Sequence, residues 1–565
     1  MKRKISILLV VAMLLGLCLT ACSGTTTTTE TAAATETEPA AVEETAAEPA
    51  AEPTVEVSED GETIIWGMST LWSTLMPFSN NNYYNGIVTS MIYDRLVYVD
   101  VEGNVNPRGA ESWSMSEDGK TITFNLNQNA VFHDGTPVTA ADWVWSLQLL
   151  TKEGVGFSDQ SLMNVFEGTD DAGVELSADS LAVTANGDYS FSLTFKEVTN
   201  MESFLMSKAY FMSVLPSALL KDIAPADIAG ADFWNAPIGS GPAVFVSQTS
   251  DGTELTLARN TDYYMGSANW GTMIFRQCDA ASASSAMLTG EIDIAYAPIA
   301  NDEALAMNGS EGITMDMRDE ATQVYVIAVN NSLITDSRIR QAVNYAINKD
   351  NICTLLTGES SVSLADPMEL YITDSNKYYP SDLTPVQDTA KAAELLDAAK
   401  ADGYDGKFVL AAPDAGQRAE IAVLVGQDLE AVGFEVEIVT IDAATMMSDL
   451  KAGEEGTYDG GIIIYGITPD PMSRNDIISA SNRSVLSLVD TTYEEMQAAI
   501  GAEQDADQRA QLISDYFAYL EEEMPAVWMV GKKQNYVYSS KLGNVTDDLI
   551  EIARYNVPVW DWVVG

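Results

Sequence analysis

Phe408-Val409-Leu410-Ala411 is followed, across 416–432, by Ile421, Leu424, Val425, Leu429 and Val432 at helical spacing. Gly433 then stops the pattern, and Phe434, Val436 and Ile438 alternate. A short apolar run, a 3.6-residue period closed by glycine and a period of two read as strand, helix and strand. That is a βαβ unit. Outward from it, Asp459 to Tyr465 is a further apolar strand, and Asp336-Ser337 caps a helix carrying Ile339, Ala342, Val343, Ala346 and Ile347. The second half of the chain therefore reads as α/β with a largely parallel sheet.

The first half is richer in strands. Thr63-Ile64-Ile65-Trp66-Gly67 opens the ordered chain, and Thr121 to Leu126 alternates with period two. His133-Asp134-Gly135-Thr136-Pro137 is turn chemistry, and Thr139-Ala140-Ala141-Asp142 is a capping box for a helix through Leu150. Leu181–Thr184 and Tyr189–Phe195 flank Asn186-Gly187-Asp188, which reads as a hairpin. Residues 90–218 are expected to form a small core of their own. No repeat of 20–50 residues is evident.

The chain has 565 residues, 83 Asp+Glu against 29 Lys+Arg, a formal charge of −54 and 46% hydrophobic residues. The apolar fraction suffices for several sizeable cores. The surplus of acid repels phosphate backbones, which argues against nucleic acid, and disfavours flat adsorption to anionic lipid. One His excludes multi-His metal centres, and a Ser/His/Asp triad would have to use His133.

Lys2-Arg3-Lys4 precedes an apolar run from Ile5 to Leu19, the layout of a secretory signal and too short for a membrane span. Leu19-Thr20-Ala21-Cys22 resembles a bacterial lipobox, which implies cleavage after residue 21 and lipid on Cys22. Cleavage removes three positive charges and no acid, taking the formal charge from −54 to −57. Residues 22–61 are rich in Thr, Ala, Glu and Pro; ten acids and no base lie in 23–60. Such a segment buries too little to offset chain entropy and reads as a tether. Cys278 and Cys353 remain, either paired outside the cell or as two separate buried thiols.

His133-Asp134 has no nucleophile beside it in sequence and reads as a structural turn. The acidic pairs Glu494-Glu495 and Asp547-Asp548 read as solvated faces, with no closing Glu for a calcium loop. No Gly-rich phosphate loop ending in Lys-Ser/Thr occurs. Trp66, Trp72, Phe78, Tyr83 and Tyr84 cluster around Asn80-Asn81-Asn82, a mixture suited to a cleft for a polar organic molecule. Trp66, inside a strand, reads as core. Trp72 and Tyr83, on loop-like sequence, are candidate ligand contacts.

One longer stretch is specific. Tyr93-Asp94-Arg95-Leu96, Asn106-Pro107-Arg108-Gly109-Ala110-Glu111-Ser112-Trp113, Asp118 to Leu126 and Val131 to Trp143 together resemble the signature of the extracellular solute-binding proteins of family 5. These are the oligopeptide, dipeptide and nickel-type receptors of ABC importers. Pro237-Ile238-Gly239-Ser240-Gly241-Pro242, Asn260 to Tyr264, Gly290-Glu291-Ile292-Asp293 and Asp336 to Ile347 resemble further parts of it, so the likeness runs over roughly 62–560.

The resemblance implies a two-lobe α/β fold of the periplasmic-binding-protein type (type II, cluster C-like) with an extra subdomain in the first lobe. Lobe I would comprise 62–89, 219–325 and 530–565, with the subdomain at 90–218 and lobe II at 326–529. The crossings would fall near Tyr325–Asn330 and Pro525–Val530. Family peptide binders place an acid after the strand that Ile462–Tyr465 resembles. Here Asp470-Pro471 matches, but Ile467-Thr468 stands where the earlier acid belongs. Arg418 sits where some dipeptide receptors meet the ligand carboxylate. The expected ligand contacts are thus Trp72, Tyr83, Tyr296, Tyr325, Arg418, Tyr465 and Asp470. No catalytic residue, metal or cofactor is expected.

The function implied is that of a lipid-anchored monomeric receptor on the outer face of a bacterial cell membrane, in the periplasmic space where an outer membrane exists. It would capture a peptide or similar polar solute and pass it to ABC permease subunits. The alternatives are a solute-sensing receptor of the same fold or a secreted carboxylate-based hydrolase.

Overall fold

The computed structural model describes residues 61–545 and 558–565, apart from 71, 80–82, 101–103, 159, 210–211, 267, 297–298, 300, 318–320, 359–362, 385, 415–416, 468–469, 475–476 and 481–483. The leader, Cys22 and the tether lie outside the described residues.

Two large sheets organise the chain. The first runs β12 (Ile313–Met317), β19 (Asn535–Ser539), β11 (Ile294–Tyr296), β1 (Glu62–Met68), β10 (Trp270–Gln277), β9 (Glu254–Arg259), β8 (Ala243–Gln248). The second runs β14 (Ala365–Pro367), β18 (Ala526–Lys532), β13 (Gln323–Val329), β17 (Gly460–Gly466), β15 (Lys407–Pro413), β16 (Glu435–Ile441). A four-stranded antiparallel sheet of β4 (Ala110–Met115), β5 (Thr121–Leu126), β7 (Ser190–Thr194) and β6 (Val183–Ala185) forms the extra strand-rich unit. Two ribbons complete the set: β2 (Val97–Val99) with β3 (Val105–Pro107), and β20 (Leu542–Gly543) with β21 (Val563–Val564).

The βαβ unit forms as its periodicity requires. β15 and β16 pair in parallel from Lys407↔Glu435 to Pro413↔Ile441. The Arg418–Ala431 helix between them buries Ile421, Val425 and Leu429, and Gly433 leaves it at φ +105°. The sheet as a whole is mixed, however: β13 pairs antiparallel with both β17 and β18, and β14 is antiparallel to β18. The expectation of a largely parallel sheet holds only for β17–β15–β16. The reason is connectivity. β13 enters from the first sheet and β18 returns to it, so the two must run in opposite directions.

The crossings lie between Met317 and Gln323 and between Lys532 and Asn535. The sequence placed them near Tyr325–Asn330 and Pro525–Val530; of those stretches, Tyr325–Val329 and Ala526–Val530 are strand residues inside the second sheet. Each crossing strand keeps its apolar run within one sheet and changes sheets only where that run ends.

Both faces of the first sheet are covered. Ile64, Trp66 and Met68 point into one core, where Trp66 stacks on Trp562 at 5.7 Å and 4°. The other face meets the Ala280–Thr289 helix through Ala283 and Met287. Trp562 and the Trp270 Nε1–H bond to the Val559 carbonyl (2.8 Å) bring the C-terminal residues back to this lobe. In the strand-rich unit, the Ala140–Leu150 helix begins with the Thr139 N–H on Asp142 Oδ2 (3.0 Å). Its Trp143 stacks on Phe191, and Phe191 on Phe124. Cys278 and Cys353 are free and buried in separate cores, which decides between the two cysteine readings.

The segments that carry the family resemblance converge on one buried joint. Arg108 Nε lies 2.5 Å from Asp94 Oδ1, both side chains being almost wholly enclosed. The Tyr263 hydroxyl reaches the same carboxylate (3.2 Å), as does that of Tyr264. Arg108 Nη2 donates to the Ser90 carbonyl at 3.2 Å, and its guanidinium rests on the Trp560 ring. Gly239 and Gly241 fit because a Cβ there would lie 1.9 Å from the Ile92 carbonyl oxygen or 2.4 Å from that of Met91.

His133 fastens this joint. Its Nδ1 accepts from the Gly239 N–H (3.2 Å), so Nε2 carries the proton and faces the Gly241 carbonyl (3.1 Å). Burial pushes the imidazole down to about 4, against some help from the Gly241 carbonyl and Asp134. The neutral form is thus favoured in the folded chain. The stabilisation is complete above the ordinary value near 6.5 and is lost as pH falls from there towards about 4. The expected loss is about 3 kcal/mol. Urea denaturation at pH 7 and pH 4.5 should reveal it, and His133→Phe should flatten that part of the profile.

Candidate functional site

Strand direction decides where a site can form. β1, β10 and β11 run parallel and end at Met68, Gln277 and Tyr296. β15, β16, β17 and β18 end at Pro413, Ile441, Gly466 and Lys532. These ends are the edges of the two sheets from which the crossing segments leave. Ligands of α/β folds gather at such carboxyl ends. The crossings are tied together: the Thr322 N–H donates to the Lys532 carbonyl (3.0 Å), and the Ile467 N–H to the Thr322 carbonyl (2.8 Å).

A second junction lies away from the crossings. The short Met201–Ser207 helix belongs to the strand-rich unit, yet its first turn meets the other lobe. The Asn200 N–H donates to the Gly501 carbonyl (2.6 Å) and its Nδ2 to the Glu503 carbonyl (2.8 Å). Gln504 Nε2 returns a bond to the Thr199 carbonyl (3.0 Å). Ser203 Oγ donates to Asp470 Oδ2 at 2.8 Å. Glu202 lies 2.8 Å from Lys377 and 3.6 Å from Arg509. The partners stand 175 or more positions apart in the chain, and no local motif announces them. Sequence reasoning missed this contact.

The expected ligand contacts divide. Trp72 is buried 93% in the first lobe, and its indole N–H has no partner among the described residues. It follows β1, in a segment held by Asn85, which accepts from the Ser73 N–H (2.8 Å) and donates to the Ser79 carbonyl (3.1 Å). Tyr83 opens the Tyr83–Ile92 helix and Tyr296 ends β11; their side chains lie outside the described set. Tyr325 is buried on the β13 face that packs towards the Arg418–Ala431 helix. Burial pushes its hydroxyl up, while Arg418 pulls the other way, so these two are neighbours. Tyr465 is half-buried on β17 and projects to the opposite face, since its pairing partner is Val324.

Asp470 lies elsewhere. Its carboxylate accepts from Ser203 and from the Met472 N–H (3.1 Å), and Arg509 stands 3.7 Å away. Enclosure pushes this carboxyl up despite those bonds and the nearby Arg509. The structure therefore places it in the contact between lobes, apart from the Tyr325–Arg418 pair. Among the described residues, no group of three or more His, Cys, Asp or Glu is placed to hold a metal ion.

The model of the bacterial extracellular solute-binding proteins, family 5, matches residues 104–484. The glutathione-binding protein GsiB of Pectobacterium atrosepticum is 23% identical over 411 residues, covering 70% of this chain and 72% of that protein. The oligopeptide-binding protein AppA of Bacillus subtilis is 25% identical over 478 residues, 80% of this chain and 79% of its own. Among solved structures, the ABC transporter substrate binding protein CtaP of Listeria monocytogenes superposes with a TM-score of 0.76 at 19% identity, over 90% of this chain and 100% of that one. The likeness confirms the two-lobe α/β architecture expected from the sequence.

Proposed function

The chain belongs to the bacterial extracellular solute-binding proteins of family 5, and from that premise we propose that it is the receptor of an ABC importer for peptides. The observation that carries the reading is the pair of sheets joined by two short crossings, whose free edges bring Tyr325 and Arg418 together. Two strands crossing at one side are a hinge, and a ligand between the lobes shifts an open–closed equilibrium. Trp72, Tyr83 and Tyr296 would contribute from lobe I, Tyr325, Arg418 and Tyr465 from lobe II. Burial of aromatic faces would provide affinity, and a few polar groups would fix orientation. The same membership supports a role in binding.

Calorimetry with pools of synthetic peptides, with X-ray scattering on the same samples, tests the reading. Micromolar binding accompanied by a smaller radius of gyration supports it. No heat from any pool, together with an unchanged radius, would remove it.

The anchor is a separate part of the proposal, supported by the leader and Leu19-Thr20-Ala21-Cys22. A diacylglyceryl group buries enough CH₂ groups to hold a folded domain at a membrane. Cys22→Ala is expected to abolish incorporation of labelled fatty acid and release the protein from the membrane fraction. Continued labelling of the variant would contradict it.

A further inference from the structure

The chain carries 83 acids, and its enclosed lysines mostly find one. Lys349 lies 2.5 Å from Glu369, Lys533 2.8 Å from Asp366 and Lys541 2.9 Å from Asp293. Lys532 is different. It is the last residue of β18, beside the crossing to β19, on the edge of the second sheet that faces the first. It is half-buried, and burial alone lowers its ammonium below the ordinary lysine value. Among the described residues it forms no ion pair and no side-chain hydrogen bond. One other lysine is in this condition: Lys208, at the end of the helix whose first turn bridges the lobes.

The strand register locates Lys532 further. It pairs with Gln323 on β13, and the next matched pair on that face is Tyr325↔Val530. Tyr325 is therefore its diagonal neighbour, a separation that long side chains span. Arg418 acts on the same Tyr325 hydroxyl from the start of its helix. Lys532 and Arg418 thus both stand at the edge where the hinge strands cross, and of the two Arg418 alone acts on the phenol. A desolvated ammonium without a counter-charge raises the free energy of the protein, and a carboxylate delivered by a ligand removes that penalty.

We propose that Lys532 is a specificity-determining residue that receives a carboxylate of the bound peptide, so that the receptor selects anionic over neutral ligands. The inference rests on the peptide-receptor reading.

The test uses the full chain in detergent and three tetrapeptide pools of neutral side chains. The first has free C-termini, the second is C-terminally amidated, and the third is amidated with one Asp or Glu. Retained peptides are weighed by mass spectrometry near neutral pH. The wild type and Lys532→Arg are expected to retain the first or third pool at least roughly tenfold over the second, the scale of one charge-assisted hydrogen bond. Lys532→Gln is expected to lose that preference while keeping its melting temperature. Lys532→Met is read in the same way should the glutamine variant not fold. A preference that survives both substitutions, or a wild type that retains all three pools alike, overturns the role of Lys532 and leaves the receptor reading standing. A wild type that retains no pool removes the receptor reading and this inference with it.

Discussion

Replacing Arg108 with alanine is expected to destabilise the chain by about 3–5 kcal/mol, the usual cost of leaving one half of a buried ion pair alone. Asp94 is 1% exposed and has no route to water. Without Arg108 its carboxylate keeps, among the described residues, the two tyrosine hydroxyls and the Arg95 N–H (3.0 Å). The Ser90 carbonyl loses its donor, and Trp560 loses the guanidinium on its face. Arg108→Lys should recover only part, because an ammonium cannot reach Asp94 and the Ser90 carbonyl in the same fork. Urea denaturation checks both variants. A loss below about 1 kcal/mol for Arg108→Ala, the level of an exposed pair, would mean that the joint does not hold the lobe together.

This joint explains what was legible. Asp94, Arg108, His133, the Gly239–Gly241 pair and Tyr263 lie in separate stretches, each with a local signature. All of them serve the fold: a carboxylate needs its cation, a carbonyl needs the absence of a Cβ, and an imidazole needs two backbone partners. The residue types are fixed by packing, so a sequence pattern reports them. The βαβ unit was legible for a similar reason, because its helix and strands alternate with the periods that burial demands. The mixed pairing of the second sheet was less so. It follows from which strands cross between lobes, and a strand's apolar run does not record its direction.

The site was read less completely. Arg418 acts on the Tyr325 hydroxyl, a proximity that the sequence did not specify, while Asp470 meets Ser203 across the contact between lobes. That contact is built from backbone carbonyls at Gly501 and Glu503 and from single polar side chains, none of which repeats with a helix or strand period. Lys532 stands beside Lys533 in the sequence, and no motif marks either. Only the fold separates them, one facing Asp366 and the other facing none. The charge imbalance gains a meaning here. In a chain of −54, a desolvated base without an acid stands out as no single acid could.

Ser203→Asp should hold the lobes apart. The substitution brings a second carboxylate to within hydrogen-bond reach of Asp470, which is almost fully enclosed when the lobes meet. Two carboxylates at that distance cannot both ionise without a large penalty. Arg509 relieves little of it, since it already stands between Asp470 and Glu202. Opening the lobes removes the repulsion at once, so the penalty falls on the closed state alone. On the scale of a broken buried pair it is about 3–5 kcal/mol, a shift of roughly a hundredfold to several thousandfold towards the open form. Apparent affinity for any solute that binds only the closed form should fall by the same factor. The scattering radius should grow, while the stability of each lobe to urea should hardly change. Ser203→Ala is the control: it loses one hydrogen bond and should weaken closure by about 1 kcal/mol. Lowering the pH should protonate one of the paired acids and restore closure in the Asp variant but not further in the wild type. Equal affinities for wild type and Ser203→Asp would mean that the contact at Asp470 forms no part of closure, and that the Tyr325–Arg418 edge governs binding alone.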